Sequence, residues 1–482
     1  MSLGGIDAGL LVAYLTAVVL FGLRVGRRSP DAADYMVGQR DFPWWLLLAS
    51  IVATETSTVT FLSIPGFSFG RDLTWLQIPI GFLLGRAVVA WILLPRYFEG
   101  SYFTAYEVLT VRFGDSARRA ASALFIVTRT LADGLRLFLT ALVLEEMTGL
   151  DFVLSVVLMG AATIAYTWSG GIRAVLWTDL VQLAVYLSGA LIAFFVLLER
   201  IPGGWSEMMA IGSAAGRLRV FDLSFSPGEP YALWAGVLGG IFVTLGSHGV
   251  DQMMVQRYLC ARDLRSARKA LVGGGFVVFA QFALFLLIGV ALYAFYQLHP
   301  PAAPFERTDR VFVRFILDEL PVGLVGILLG AIFAAAMSTL SSSLNSCATT
   351  WTRDLRPRRD DPDPAGELRA TRLATVVFGG LQVAVGIGGL WLRSTVVASV
   401  LGIAAFTTGI VLGVFLLGMY APRAGERAAL AGLVTGFAAM TAIFFLTPLA
   451  WPWYALVGSA ITFAAGWSAS FAWPRTGAAP QS

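Results

Sequence analysis

The residues best suited to bind an ion lie in one run, Ser338-Thr339-Leu340-Ser341-Ser342-Ser343-Leu344-Asn345-Ser346, within a segment, 322–351, that otherwise reads as a membrane helix. Hydrocarbon offers no water to small hydroxyls, so this many on one helix require burial among other helices. Replacing the hydration shell of a small cation is the chemistry such a row suits. On a helix Ser338 and Ser342 share a face, Thr339 and Ser343 occupy the adjacent stripe, and Ser341 borders both. A dehydrated sodium ion takes about five or six hard oxygen ligands, which hydroxyls and unwound carbonyls supply without net charge. The competing reading is that small residues here serve close helix packing.

A second group is ionisable. Glu55, Arg129, Asp133, Arg136 and Asp179 fall within apolar segments, where charge is costly and marks function by default. Spacings of four and three put Arg129, Asp133 and Arg136 on one helical face, where Arg129 and Asp133 can pair. An arginine turned toward a central cavity suits a solute carboxylate through bidentate hydrogen bonds. The alternative is a closed salt-bridge network that stabilises the bundle. Glu55 suits a solute amine or hydroxyls, and Asp179 is either an ion ligand or part of a structural hydrogen-bond network. His248 reads as a hydrogen-bonded cap or as a proton carrier, and Arg86 snorkels or pairs, with no role assigned.

These side chains need a scaffold of membrane helices, and the composition supplies one. Hydrophobic residues make up 57% of the chain and charged residues 13%, against roughly 25% charged in a soluble domain. Apolar stretches of about 20 residues recur thirteen times: 8–23, 44–64, 75–97, 120–144, 152–168, 174–198, 232–247, 271–296, 322–351, 373–391, 396–419, 429–446 and 453–473. The expected fold is therefore an all-α membrane protein of about 13 transmembrane helices. One extra helix before and two after leave ten, which suits two inverted halves of five. The corresponding division is 1–41 for the extra helix and a cytoplasmic loop, 42–200 and 201–420 for the repeats, and 421–482 for the last two helices. The first helix of each half is expected to be broken. Ala53-Thr54-Glu55-Thr56-Ser57-Thr58-Val59-Thr60 ahead of Pro65-Gly66 interrupts one, and Gly239-Gly240 with Gly246-Ser247-His248-Gly249 the other.

With the amino terminus outside, roughly 23 of the 34 basic residues fall on one face, among them Arg24, Arg27, Arg28, Arg40 and those from Arg353 through Arg372. That asymmetry predicts an N-out, C-in protein of the inner (plasma) membrane. It also accounts for the net charge of +4 without nucleic acid, because the basic residues are spread over loops. The first helix follows Asp7 rather than a basic region and lacks a small-residue cleavage site, so it is expected to remain. Cys260 and Cys347 form no disulfide framework. The chain has no Walker-type glycine loop and only two histidines, and no cysteine or histidine cluster with metal spacing. ATP-driven transport and enzymatic catalysis are thus not expected.

Three motifs carry a family resemblance: Ala53-Thr54-Glu55-Thr56-Ser57; Trp177-Thr178-Asp179-Leu180-Val181-Gln182 after Gly170-Gly171; and Ala335-Ala336-Met337-Ser338-Thr339-Leu340. A fourth, Asp251-Gln252-Met253-Met254-Val255-Gln256-Arg257, closes the seventh helix. By these the chain resembles the solute:sodium symporter family over nearly its whole length. The resemblance implies the LeuT-like five-plus-five fold and a first sodium site. That site would comprise the carbonyls of Ala53, Thr56 and Ala335 and the hydroxyls of Ser338 and Thr339. The chain is further similar to sialic acid transporters of that family. This implies a second sodium site at Asp179, Ser341 and Ser342, and solute contacts near Ser57, Thr60, Gln77 and Arg129. At Glu55 it departs from them, since they carry a small polar residue there.

The sequence therefore predicts a sodium-coupled secondary active symporter that imports a small polar organic solute by alternating access. A carboxylate such as a sialic acid or another organic acid is one expected cargo. Candidate solute contacts are Glu55, Ser57, Thr60, Gln77, Arg129, Asp133, Arg136 and His248; the expected partners are one or two sodium ions, the solute and the lipid bilayer. A proton-coupled transporter working through Glu55, Asp133 or His248 keeps the same fold and is the first alternative. A solute sensor without transport is another, which the lack of a signalling domain before Ser482 disfavours.

Overall fold

Long apolar runs satisfy their backbone polar groups only within helices or closed barrels. Among the described residues of the computed structural model (4–26, 31–301, 304–305, 307–357 and 363–475), regular structure is helical apart from two isolated bridges. Arg27, Arg28, Arg358 and Arg359 of the expected cytoplasmic loops lie outside the described residues.

The principal helices in chain order are α1 (Gly5–Gly26), α2 (Trp44–Glu55), α3 (Thr58–Gly70), α4 (Thr74–Phe98), α5 (Asp115–Thr148), α6 (Phe152–Arg200) and α7 (Ala235–Gly249). They continue with α8 (Gln252–Leu259), α9 (Leu264–Leu298), α10 (Leu324–Leu355), α11 (Pro364–Trp391), α12 (Ser394–Tyr420), α13 (Glu426–Leu446) and α14 (Trp451–Ala472). Nine described helices are long and apolar enough to cross a membrane, and the bent pair α2–α3 adds a tenth. α5 is long enough but carries Arg129, Asp133 and Arg136 mid-helix, and α7 is shorter.

Two breaks in these helices position the site. Between α2 and α3 the chain turns by 61°, because Thr56 and Ser57 are extended (φ −96°, ψ 106° and φ −95°, ψ 166°) and Ser57 caps α3 by accepting from Thr60 N. The second break differs from expectation. Gly239-Gly240 and Gly246–Gly249 lie inside continuous helical backbone, and the chain is interrupted at Val250-Asp251 instead. There Asp251 is extended and its carboxylate accepts from Met253 N at 2.9 Å to start α8. The glycines serve packing: a Cβ on Gly240 would stand 2.8 Å from Ile78 O, and one on Gly81 2.5 Å from Gly236 O, so α4 and α7 touch backbone to backbone.

The two segments expected at 152–168 and 174–198 are the arms of α6, which kinks at Gly171 (φ 51°, ψ −142°). Any Cβ there would meet Tyr35 O at 2.3 Å, which requires glycine. α10 is the central element. Its apolar stretch is 89% buried, against 22% in α1 and α13, and it packs most heavily on α6. Asp7 of α1 accepts from Gly323 N and Gly326 N at 2.8 Å each, answering two of the orphan donors at the start of α10.

Candidate ion and solute site

Every residue from Ser338 to Ser346 is buried, and the hydroxyls divide among different partners according to helix face. Ser338 Oγ donates to Asp179 Oδ1 at 2.8 Å. Thr339 Oγ1 reaches Thr54 O at 3.2 Å and Ala335 O at 3.3 Å. Ser342 Oγ lies 3.0 Å from Thr54 Oγ1 and accepts from Arg257. Ser343 accepts from Gln382 Nε2 of α11 at 2.8 Å and so joins two helices, whereas Ser346 donates to Ser343 O within α10 itself. Ser341 Oγ donates to the carbonyl of Ser338 at 3.1 Å.

The α2–α3 break thus lies directly against α10. Thr58 Oγ1 donates to Ile332 O, and Ala53 and Ala335 are fully buried nearby. Because Thr56 and Ser57 are extended, the last carbonyls of α2 lose helical donors and become available as ligands. Thr56 itself is held by its side chain, whose Oγ1 accepts from Gln281 Nε2 at 2.6 Å and from Tyr186 OH at 3.2 Å.

Asp179 is paired rather than free. Its Oδ2 accepts from Ser50 Oγ at 2.5 Å and from Arg257 Nη2 at 3.4 Å, with both charged side chains wholly buried. Arg257 also donates to Ser50 Oγ and Thr54 Oγ1 at 2.8 Å each, and to Met253 O. Although the fourth motif includes Arg257, sequence reasoning counted it only among the basic residues of a cytoplasmic loop, whereas its side chain is wholly buried. Reading the arginine as the charge partner that a buried Asp179 demands was the available signal.

Beside the break lies a cavity of about 330 Å³ lined by Thr54, Glu55, Ser57, Thr60, Arg129, Arg136, Asp251 and Thr339, with Thr407 and Thr408 of α12. Ser57, Thr60, Glu55, Arg129 and Arg136, named from the sequence as candidate solute contacts, thus line one cavity. Arg129 Nη2 binds Asp251 Oδ2 at 2.5 Å, a partner the sequence pairing with Asp133 missed; Asp133 is 3.8 Å from Arg129 and forms its close ion pair with Arg136. Arg136 is the more exposed of the two cations that touch these acids, with 36% of its side chain accessible against 14% for Arg129.

Three expected contacts lie off the cavity wall. Gln77 is consumed structurally, donating to Thr74 O and Tyr231 O and accepting from Asp222 N. Asp133 lines a narrow constriction beside the cavity with Ser57, Arg136 and Thr339. His248 sits behind Glu55, its Nε2 3.2 Å from Glu55 Oε1 and its Nδ1 2.7 Å from Tyr258 OH. Arg86, left without a role, donates to both oxygens of Glu55 at 2.5 and 2.6 Å.

A model of the sodium:solute symporter family matches residues 35–436. The chain belongs to the sodium:solute symporter family. Among its relatives, the sodium/sialic acid symporter SiaT of Proteus mirabilis (strain HI4320) is 29% identical over 479 residues, covering 96% of this chain and 94% of that one. The human sodium/iodide cotransporter is 29% identical, covering 90% of this chain and 69% of its own length. Among solved structures, the substrate-bound outward-open state of a sodium-coupled sialic acid symporter superposes with a TM-score of 0.89 at 29% identity, over 97% of this chain and 98% of that one. This symporter is thus a multi-pass membrane transporter that couples sodium to a solute.

Proposed function

We propose that this family member imports a carboxylate-bearing solute of the sialic acid type, driven by sodium bound where α2 breaks against α10. The observation that carries the reading is the contact of Thr339 Oγ1 with Thr54 O across that break, beside the buried carbonyls of Ala53, Thr56 and Ala335 and the hydroxyl of Ser338. These five oxygens bring no formal charge, so a bound sodium leaves one positive charge beside the cavity. A monoanionic solute cancels it, and Arg136, its guanidinium turned partly into the cavity, is the group that takes the carboxylate. Ion and solute then stabilise each other's binding by the same factor, which is the coupling that symport requires.

A second sodium at Asp179, Ser341 and Ser342 competes with Arg257 for Asp179 Oδ2 and Ser342 Oγ, so its occupancy is tied to guanidinium position. The proposed frame is thirteen spans with two inverted repeats at 42–200 and 201–420 and the amino terminus outside, following the arginine-rich loops. Resistance of a cysteine introduced for Arg262 to impermeant maleimide in intact cells tests that orientation.

Sialic acid uptake into proteoliposomes under an imposed sodium gradient tests the function. Uptake should follow sodium and collapse with potassium; uptake that follows a proton gradient without sodium refutes it and favours coupling through Glu55.

A further inference from the structure

Glu55 is the acid on the cavity wall that the sodium reading leaves unused, and its surroundings are built. Arg86, with 1% of its side chain accessible, delivers Nη2 to both carboxylate oxygens. The guanidinium is seated by a glycine pair on α9: a Cβ on Gly275 would stand 2.8 Å from Arg86 Cδ, and one on Gly274 3.2 Å from its Nη1. Tyr258 OH lies 2.7 Å from His248 Nδ1, and His248 Nε2 stands 3.2 Å from Glu55 Oε1 and 3.3 Å from Arg86 Nη2, so the ring either donates to Glu55 or accepts from Arg86 according to its tautomer. Arg86 and His248 sit behind the acid, and Glu55, 16% accessible, is the member of the cluster that reaches the cavity.

An ionised carboxylate has about four lone-pair directions; Arg86 takes two, and His248 takes a third only in the tautomer that donates from Nε2. At least one remains, on a side chain that lines the cavity. What it suits is set by charge. Glu55, Asp133 and Asp251 are balanced by Arg86, Arg129 and Arg136, so the ionised groups on and behind the wall sum to zero before any ion arrives. With sodium and a monoanion also cancelling, an added ammonium would leave an uncompensated charge in a low-dielectric site. A neutral donor leaves none.

We infer that Glu55 is a specificity-determining acceptor for a solute hydroxyl, so that the transported acid is a hydroxylated carboxylate rather than a simple fatty or aliphatic acid. This rests on the carboxylate reading above and adds a second point of recognition to it. The volume of about 330 Å³ lies at the small end of the roughly 300–1,000 Å³ typical of ligand pockets, which favours one compact solute held at two points.

Thermal stabilisation of the purified protein in sodium, with four six-carbon probes, tests it: gluconate (carboxylate and hydroxyls), hexanoate (carboxylate alone), sorbitol (hydroxyls alone) and 6-aminohexanoate (carboxylate and ammonium). A hydrogen bond to a charged group predicts that gluconate acts at concentrations about tenfold or more below hexanoate. That gap should shrink to about threefold or less in Glu55→Gln, provided sodium alone still stabilises the variant. If Arg86, left uncompensated, prevents folding, Glu55→Gln with Arg86→Met replaces it.

Hexanoate matching gluconate in the unmodified protein overturns the inference, as does a gap that survives in a sodium-responsive variant. No stabilisation by gluconate, or tighter binding of 6-aminohexanoate, overturns it too. Sorbitol matching gluconate while both exceed hexanoate supports the hydroxyl subsite and instead removes the carboxylate requirement.

Discussion

Thr339→Val isolates one sodium ligand. The substitution keeps the branched shape of the side chain and deletes the oxygen that sits 3.2 Å from Thr54 O and 3.3 Å from Ala335 O. Those two hydrogen bonds are long and share one hydroxyl, so their loss costs the fold about 0.5–1.5 kcal/mol. In a protein of this size that moves the thermal midpoint by no more than about 3 °C. The ion loses more. An oxygen facing a charged group contributes about 1.5–3 kcal/mol, which raises the sodium concentration for half-maximal uptake roughly 10- to 150-fold. Uptake measured against sodium concentration in proteoliposomes, at fixed solute, gives that constant. The maximal rate at saturating sodium should change far less. By reciprocity, solute affinity at subsaturating sodium should fall, and at saturating sodium it should recover. A half-maximal concentration within about twofold of the parent, in a protein that remains folded, would remove Thr339 from the ion site and with it the physical basis of the coupling.

Other perturbations test the rest of the site. Asp179→Asn leaves the wholly buried Arg257 without its counter-charge and should cost about 3–5 kcal/mol in detergent unfolding, whereas Asp179→Asn with Arg257→Met should recover most of it; equal stability of the single variant would show that the pair carries no such load. Arg136→Gln should raise the half-saturating concentration of the carboxylate solute about tenfold or more while leaving stabilisation by sodium alone intact, and an unchanged solute constant would shift the carboxylate contact elsewhere. Gly289→Ala places a methyl 2.0 Å from Ser68 Oγ and 2.1 Å from Pro65 O, forcing α9 away from α3 at a cost of about 1–3 kcal/mol or more, whereas Gly9→Ala, which meets no heavy atom within 4 Å, should be nearly neutral in the same unfolding assay.

Much of this was legible in the chain itself. The length and spacing of apolar runs fixed where helices fall, because backbone in hydrocarbon must bond internally. Polar residues at 53–60 ahead of Pro65-Gly66 marked the break between α2 and α3 correctly, although the Ser/Thr run at 338–346 sits in unbroken helix. The glycines of α7 misled, because a glycine that permits close approach and one that permits a bend look alike in sequence; Gly240 is there for Ile78 O. Similarly, hydroxyls on one helix cannot announce their partners. Thr339 turns to the break and Ser338 to Asp179 of α6, while Ser343, on the same run, turns to Gln382.

Charge pairing was the least legible part. The sequence placed Glu55, Asp133, Asp179, Arg129 and Arg136 within apolar segments, where charges need partners, and local spacing offered Asp133 to Arg129. Tertiary structure alone decided that Arg86 goes to Glu55, Arg257 to Asp179 and Asp251 to Arg129, across separations of 31, 78 and 122 residues. The reason is physical: helix periodicity fixes which residues share a face within one helix, whereas contacts between helices depend on how the breaks and glycine approaches set each helix beside its neighbours.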